Sequence, residues 1–138
     1  MNNKIEPMKL VFTSFRDSQD MEGLKVSINK HIPRLCSYPT LSYLVIPIAR
    51  NLNPINMERI CHSILDNNWE LIQDFVIEMY DLGIKQIVLC DWCTSEQISH
   101  GKICEAGIIG RYIQDKVDRD NAFQFPIEVS YRDGREVL

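Results

Sequence analysis

Ile87-Val88-Leu89-Cys90-Asp91-Trp92-Cys93 is the stretch whose reading decides the fold. Its short apolar start reads as a buried strand, expected over Lys85–Cys90. The strand runs into two cysteines separated by two residues. Upstream, Met57, Ile60, Cys61, Ile64 and Leu65 recur at helical spacing, as do Ile72, Phe75, Val76 and Met79. A helix that leads into a buried strand is half of a βαβ unit, so a parallel sheet is expected.

Asn53-Pro54 supplies a helix entry, with asparagine as cap and proline in the first turn. Asp66-Asn67-Asn68 interrupts the apolar stripe, which predicts either two connected helices or one kinked helix over 54–82. Gly83 is placed to end it as a C′ glycine. A second helix is expected over 102–117, with Ala106, Gly107 and Gly110 allowing close approach to the sheet. The remaining main strands are expected at Leu10–Phe15, Leu41–Ile46 and Ile127–Tyr131. Leu24–Ile28 alternates as a short strand. Ser14 to Ser18 reads as a polar loop, and Asp133-Gly134 as a turn into a short return strand. The fold class is therefore α/β: a single domain, residues 9–138, with a mainly parallel sheet covered by helices. Residues 1–8 read as a loose N-terminal segment.

A chain of 138 residues suits one domain with one hydrophobic core. Its 45% apolar and 25% charged residues are ordinary for a soluble domain. The net charge of −4 argues against a nucleic-acid partner and against an anionic membrane surface. No apolar run approaches the length of a membrane span, and residues 1–7 carry no signal-peptide core. The expected location is cytoplasmic. In that reducing setting five cysteines read as buried thiols, reactive thiols or metal ligands rather than structural disulfides.

In open α/β sheets ligands collect outside the carboxyl ends of the strands. A pocket there would gather Ser14, Phe15 and Arg16 after the first strand, Asp91 and Cys93 after the central one, and His100 and Cys104 from the helix entry. Cys104 near a helix N-terminus, with Lys102 beside it, is placed for a lowered thiol pKa. His100 precedes it by four residues and is the candidate proton carrier. Cys93 is the nearer-surface member of the C-x-x-C, whereas Cys90 belongs to the strand. The candidate catalytic residues are thus Cys93, Cys104 and His100, and the candidate ligand-binding residues are Ser14, Arg16, Lys30 and Asp91. Arg16 and Lys30 are the cations available to a small anionic ligand.

No cofactor is called for. The rival reading is zinc, because Cys90, Cys93, His100 and Cys104 form C-x2-C-x6-H-x3-C. The final spacings depart from those of a zinc knuckle, and the chain is acidic. Several chemistries are excluded. Six residues after Cys90 and Cys93 stand Glu96 and Ser99, where a phosphatase-type loop needs arginine. The phosphate-cradling, nucleophile-elbow and H-E-x-x-H motifs are absent.

Several segments together resemble the uncharacterised family called domain of unknown function 488. Ser14-Phe15 resembles its strand ending in a Ser-aromatic pair, and Ser27-Ile28-Asn29 with Pro33 its Ser-Ile-Ser segment followed by proline. Leu89-Cys90-Asp91-Trp92-Cys93 resembles its Leu-Cys-Cys-aromatic-Cys run, with Asp91 in place of the middle cysteine. Ile103-Cys104-Glu105 with Ile108-Ile109-Gly110 is similar to a Cys-His pair opening a helix, with Glu105 where the histidine would stand. An alternative alignment sets Ser99-His100 against that pair. The resemblance spans roughly residues 9–117 and implies a small α/β fold without an assigned activity.

Two functional classes follow. One is a thiol-dependent enzyme or redox sensor acting on a small anionic ligand at the strand ends. The other is a non-catalytic ligand-binding or interaction module, with core or zinc-bound cysteines and with Trp69 and Trp92 more important than thiols. The expected partner is an unknown small molecule, and self-association into a homo-oligomer is left open.

Overall fold

The computed structural model describes residues 6–29, 33–34, 36–41, 54–91 and 105–131. Among the described residues, four strands form one sheet: β1 (Met8–Ser14), β2 (Leu24–Ser27), β3 (Gln86–Asp91) and β4 (Ile127–Tyr131). Their order is β2-β3-β1-β4, and every pairing is parallel. The helices are α1 (Phe15–Ser18), α2 (Pro54–Asp81) and α3 (Glu105–Asp120). The chain is a single α/β domain.

Strand alternation sorts the sheet into two faces. Met8, Leu10 and Phe12 of β1, Ile87 and Leu89 of β3, Val26 of β2 and Val129 and Tyr131 of β4 form one face. They pack with Leu65, Ile72 and Val76 of α2 and Ile109, Tyr112 and Ile113 of α3. This is the main core. The opposite face carries a smaller cluster of Phe15, Cys36, Val88 and Cys90, flanked by Met21 and Tyr38.

Connection handedness explains the division. β2→α2→β3 and β3→α3→β4 run in the same direction across the sheet, so right-handed crossovers put both helices on one face. The β1→β2 connection runs the other way and carries α1 to the opposite face. Adjacent strands β1 and β3 therefore send their chains to opposite sides. A crevice opens at the carboxyl ends of such a pair.

Several elements depart from expectation. β1 begins at Met8, two residues ahead of Leu10, because Met8 pairs beside Ile127 and its N–H donates to the Pro126 carbonyl at 2.9 Å. The Ser14–Ser18 loop is instead one helical turn, capped by Ser14, whose Oγ accepts from the Asp17 N–H at 3.1 Å. β2 takes its place at one side of the sheet, and Thr40 adds an isolated bridge to Ser27 there. Of the expected strand Leu41–Ile46, only Leu41 falls among the described residues. The expected return strand at 136–138 falls outside them.

Of the two alternatives expected at Asp66-Asn67-Asn68, two separate helices do not occur: α2 is one 28-residue helix. Asp66 and Asn67 are exposed, and polar residues in a helix interior cost only some tenths of a kcal/mol each. The buried stripe on either side, Cys61 and Leu65 before and Ile72 and Val76 after, offsets that cost. Gly83 ends α2 as expected. At φ +87° its N–H donates to the Tyr80 carbonyl at 3.0 Å, and the Ile84 N–H donates to the Met79 carbonyl at 3.0 Å. That pair of bonds is a Schellman motif.

Candidate functional site

Ser14 and Asp91 are opposed in the β1–β3 register, at the last position of each strand. Alternation from Phe12 and Leu89 points both toward the helix-bearing face. Neighbouring strands lie about 4.8 Å apart, so the two side chains stand side by side where the crevice is expected.

Asp91 is only 1% exposed, among the most buried polar residues described. Asn29 comes to it from the segment that leaves β2, and Asn29 Nδ2 donates to Asp91 Oδ1 at 3.3 Å. The backbone supports this approach, because the Ile28 N–H donates to the Cys90 carbonyl at 3.0 Å. Asn29 is fixed in turn. Its N–H donates to Ser27 Oγ at 3.0 Å, Ser27 Oγ donates to the Asn29 carbonyl at 2.6 Å, and Thr40 Oγ1 donates to that carbonyl at 3.3 Å. The result is a hydrogen-bonded group of Asp91, Asn29, Ser27 and Thr40, with Ser14 opposite Asp91 in the strand register.

Chemically, this group offers a carboxyl, a carboxamide and a hydroxyl to a small molecule. The carboxyl can accept from hydroxyl or amine donors. Arg16 is exposed on α1, two residues beyond Ser14. Lys30, Cys93, His100 and Cys104 lie outside the described residues.

Cys90 belongs to a different compartment. It is wholly buried on the face opposite Asp91, and its Sγ donates weakly to the Val88 carbonyl at 3.7 Å. Burial pushes its thiol up to about 11. Cys36 nearby raises it further, while Ser18 lowers it. A buried thiol that resists ionisation is a poor nucleophile and a poor zinc ligand. Among the described residues, no group of three or more His, Cys, Asp or Glu side chains is arranged to hold a metal ion.

Ser14 and Asp91 were legible from the strand-end rule. Asn29 was not singled out as a ligand-binding residue, although its neighbour Lys30 was. A polar residue just after a short alternating strand was the available signal, but the partner lies 62 residues away.

Two surface clefts among the described residues lie at the opposite end of the sheet. One, of about 450 Å³, is lined by Glu6, Met8, Tyr80 and Lys85 among others. The second, of about 620 Å³, includes Lys9, Glu22, Gln86 and Glu128. These sit at strand beginnings, away from the carboxyl ends where α/β sheets place chemistry. No described helix is long and apolar enough to cross a membrane. No family model, curated protein or solved structure matches this chain.

Proposed function

We propose that the chain binds a small molecule at the carboxyl ends of β1 and β3, with Ser14, Asn29 and Asp91 as its described polar contacts. The observation that carries this is a buried carboxyl on the central strand, beside Ser14, at the topological switch point. Burying a carboxyl costs free energy, and such costs concentrate at functional sites. The ligand class that suits Asp91 is one with hydroxyl or amine donors. Any anionic part would turn away from Asp91, and Arg16 and Lys30 remain the candidate cations for it.

Thiol chemistry at this site falls to Cys93 or Cys104, with His100 as proton carrier. Cys93 follows Asp91 by two residues in the sequence. Cys90 has no part in that chemistry. In this reading the protein is a thiol-dependent enzyme or sensor. The resemblance to the domain of unknown function 488 family agrees with a small α/β fold and adds no activity.

A second reading has a specific observation behind it. The hydrogen bond from Asn29 already engages Asp91, and together they tie the β2 exit to β3. In that case the pair is a fastener, and the domain is a non-catalytic interaction module. Leu71 and Leu82, exposed at 56% and 68% on and just after α2, then become the surface of interest.

Thermal unfolding with ribose, ethylamine and acetate as probes separates the readings. Under the binding reading, ribose or ethylamine raises the melting temperature of the wild type and not of Asp91→Asn. If acetate alone stabilises, and does so equally in both, Asp91 is not a ligand contact. Iodoacetamide labelling against pH tests the thiol component. Cys93 or Cys104 should react well below the ordinary cysteine pKa of about 8.5. Labelling of both only above that value removes thiol catalysis from the proposal.

A further inference from the structure

The smaller cluster contains a pair of thiols that the strand-end site does not use. Cys36 and Cys90 are two of its four buried members, 7% and 0% exposed. They come from different parts of the chain, one from the segment after β2 and one from β3. Both sit in one small buried cluster with Phe15 and Val88. Cys36 opposes ionisation of Cys90, and both act on Tyr38. Cys61, the other described cysteine, is buried on α2, across the sheet.

The surroundings are polar for so small a compartment. Ser18 Oγ and Tyr38 Oη lie 3.0 Å apart, and Ser18 Oγ donates to the Phe15 carbonyl at 2.7 Å. Tyr38 stacks on Phe15 with ring centroids 6.3 Å apart. Ser18 hydrogen-bonds the Cys90 thiol, and Tyr38 hydrogen-bonds that of Cys36. The Cys36 N–H donates to the Pro33 carbonyl at 2.9 Å, and the Ser27 N–H donates to the Pro39 carbonyl at 2.7 Å. The first closes a local turn, and the second, with the Leu41 N–H donating to the Ser27 carbonyl at 2.8 Å, holds the Cys36 segment against β2.

We propose that Cys36 and Cys90 are a redox pair that closes to a disulfide, tying the segment after β2 to the central strand. The oxidant class is a small disulfide, R–S–S–R. Cys36, the more exposed sulfur, attacks first. Its bond to one oxidant sulfur forms as the R–S–S–R bond breaks, and the departing RS⁻ takes the Cys36 proton. The Cys90 sulfur then attacks Cys36, forming the internal disulfide and releasing the second RS⁻, which takes the Cys90 proton. Two protein thiols are oxidised, and one small disulfide is reduced to two thiols.

The high Cys90 pKa makes the second step slow near neutrality. Its rate rises with the thiolate fraction, about tenfold per pH unit below the pKa. The disulfide stands or falls apart from the strand-end binding site, because none of its atoms belongs to that site.

The experiment is oxidation of the folded full chain with glutathione disulfide at pH 8, followed by non-reducing digestion and mass spectrometry. A Cys93→Ser, Cys104→Ser variant is run in parallel to remove competing thiols. The expected product is a peptide linking Cys36 to Cys90, absent after dithiothreitol. The melting temperature of the linked form should rise by on the order of 10 °C, because the bond closes a long loop of the unfolded chain. Stable glutathione adducts on Cys36 that never resolve onto Cys90 overturn the proposal. So does loss of thiols only at other cysteines, or no loss at all. The wild-type peptide map decides the matter without a Cys36 variant. Cys36→Ala serves as a second control, and it should stay fully reduced at Cys90.

Discussion

Replacing Cys90 by alanine should change how stability depends on alkaline pH, by an amount that follows from its burial. In the folded chain the Cys90 thiol titrates near 11, against an ordinary value of 9.0. A group whose folded pKa is raised contributes stability that is present below its unfolded pKa and is lost as pH rises toward the folded one. For Cys90 the affected window is about pH 9 to 11. Between pH 7 and pH 10 the wild type should lose about 1.4 kcal/mol from this thiol alone. At pH 7 Cys90→Ala should be less stable by about 1–2 kcal/mol, from lost contacts in the Phe15, Val88 and Cys36 cluster. The gap between the two proteins should therefore narrow to near zero by pH 10. Urea unfolding under reducing conditions, followed by far-ultraviolet circular dichroism at pH 7, 8, 9 and 10, measures it. The comparison between variants cancels the other titrating groups they share. A gap that stays constant with pH would refute the inward placement of Cys90.

Three more outcomes follow from the packing. Gly23→Ala should destabilise by about 2 kcal/mol or more, since a Cβ there meets the Gln86 carbonyl oxygen at 2.6 Å on a backbone at φ +115°. Gly83→Ala should cost only about 1 kcal/mol, because its φ of +87° is strained for alanine but its surroundings are open; denaturant midpoints rank the two. Tyr112→Phe should cost about 1–2 kcal/mol at pH 7, by removing the hydroxyl that donates to Asp66 Oδ1 at 2.5 Å. Burial first, and then Asp66, holds the Tyr112 pKa well above 10, so this contribution is present below pH 10 and falls away above it. Unfolding curves on either side of pH 10 should show the Tyr112→Phe deficit shrinking.

The fold was readable where a single physical pattern dominates. Ile87–Leu89 is buried on both faces, and the α2 stripe resumes its helical period on both sides of Asp66-Asn67-Asn68, so both were plain. The errors came where a local signal was weaker than a distant one. Asp66-Asn67-Asn68 looked like a break, but the buried residues flanking it keep α2 whole, and Asp66 finds Tyr112 on another helix. Ser14 looked like loop, but its hydroxyl caps a single turn. β2 has four residues and gains its place from β3. Similar reasoning applies to the candidate site. Asp91 and Ser14 were visible because a strand-end position is a property of the local sequence. Asn29 and the Cys36–Tyr38 group were not, because their partners come from β3 and α1, and no spacing in the sequence encodes that meeting.

The central claim is that the carboxyl ends of β1 and β3 form the binding site, and backbone-amide nuclear magnetic resonance of the full chain tests it most directly. Ribose, ethylamine and acetate are titrated in turn, and the shifted amides are mapped. The account requires shifts concentrated at Thr13 to Arg16, Ser27 to Asn29 and Cys90 to Asp91, lost in Asp91→Asn. Shifts concentrated instead at Glu6 to Lys9 and Lys85 to Gln86, at the strand beginnings, would contradict it.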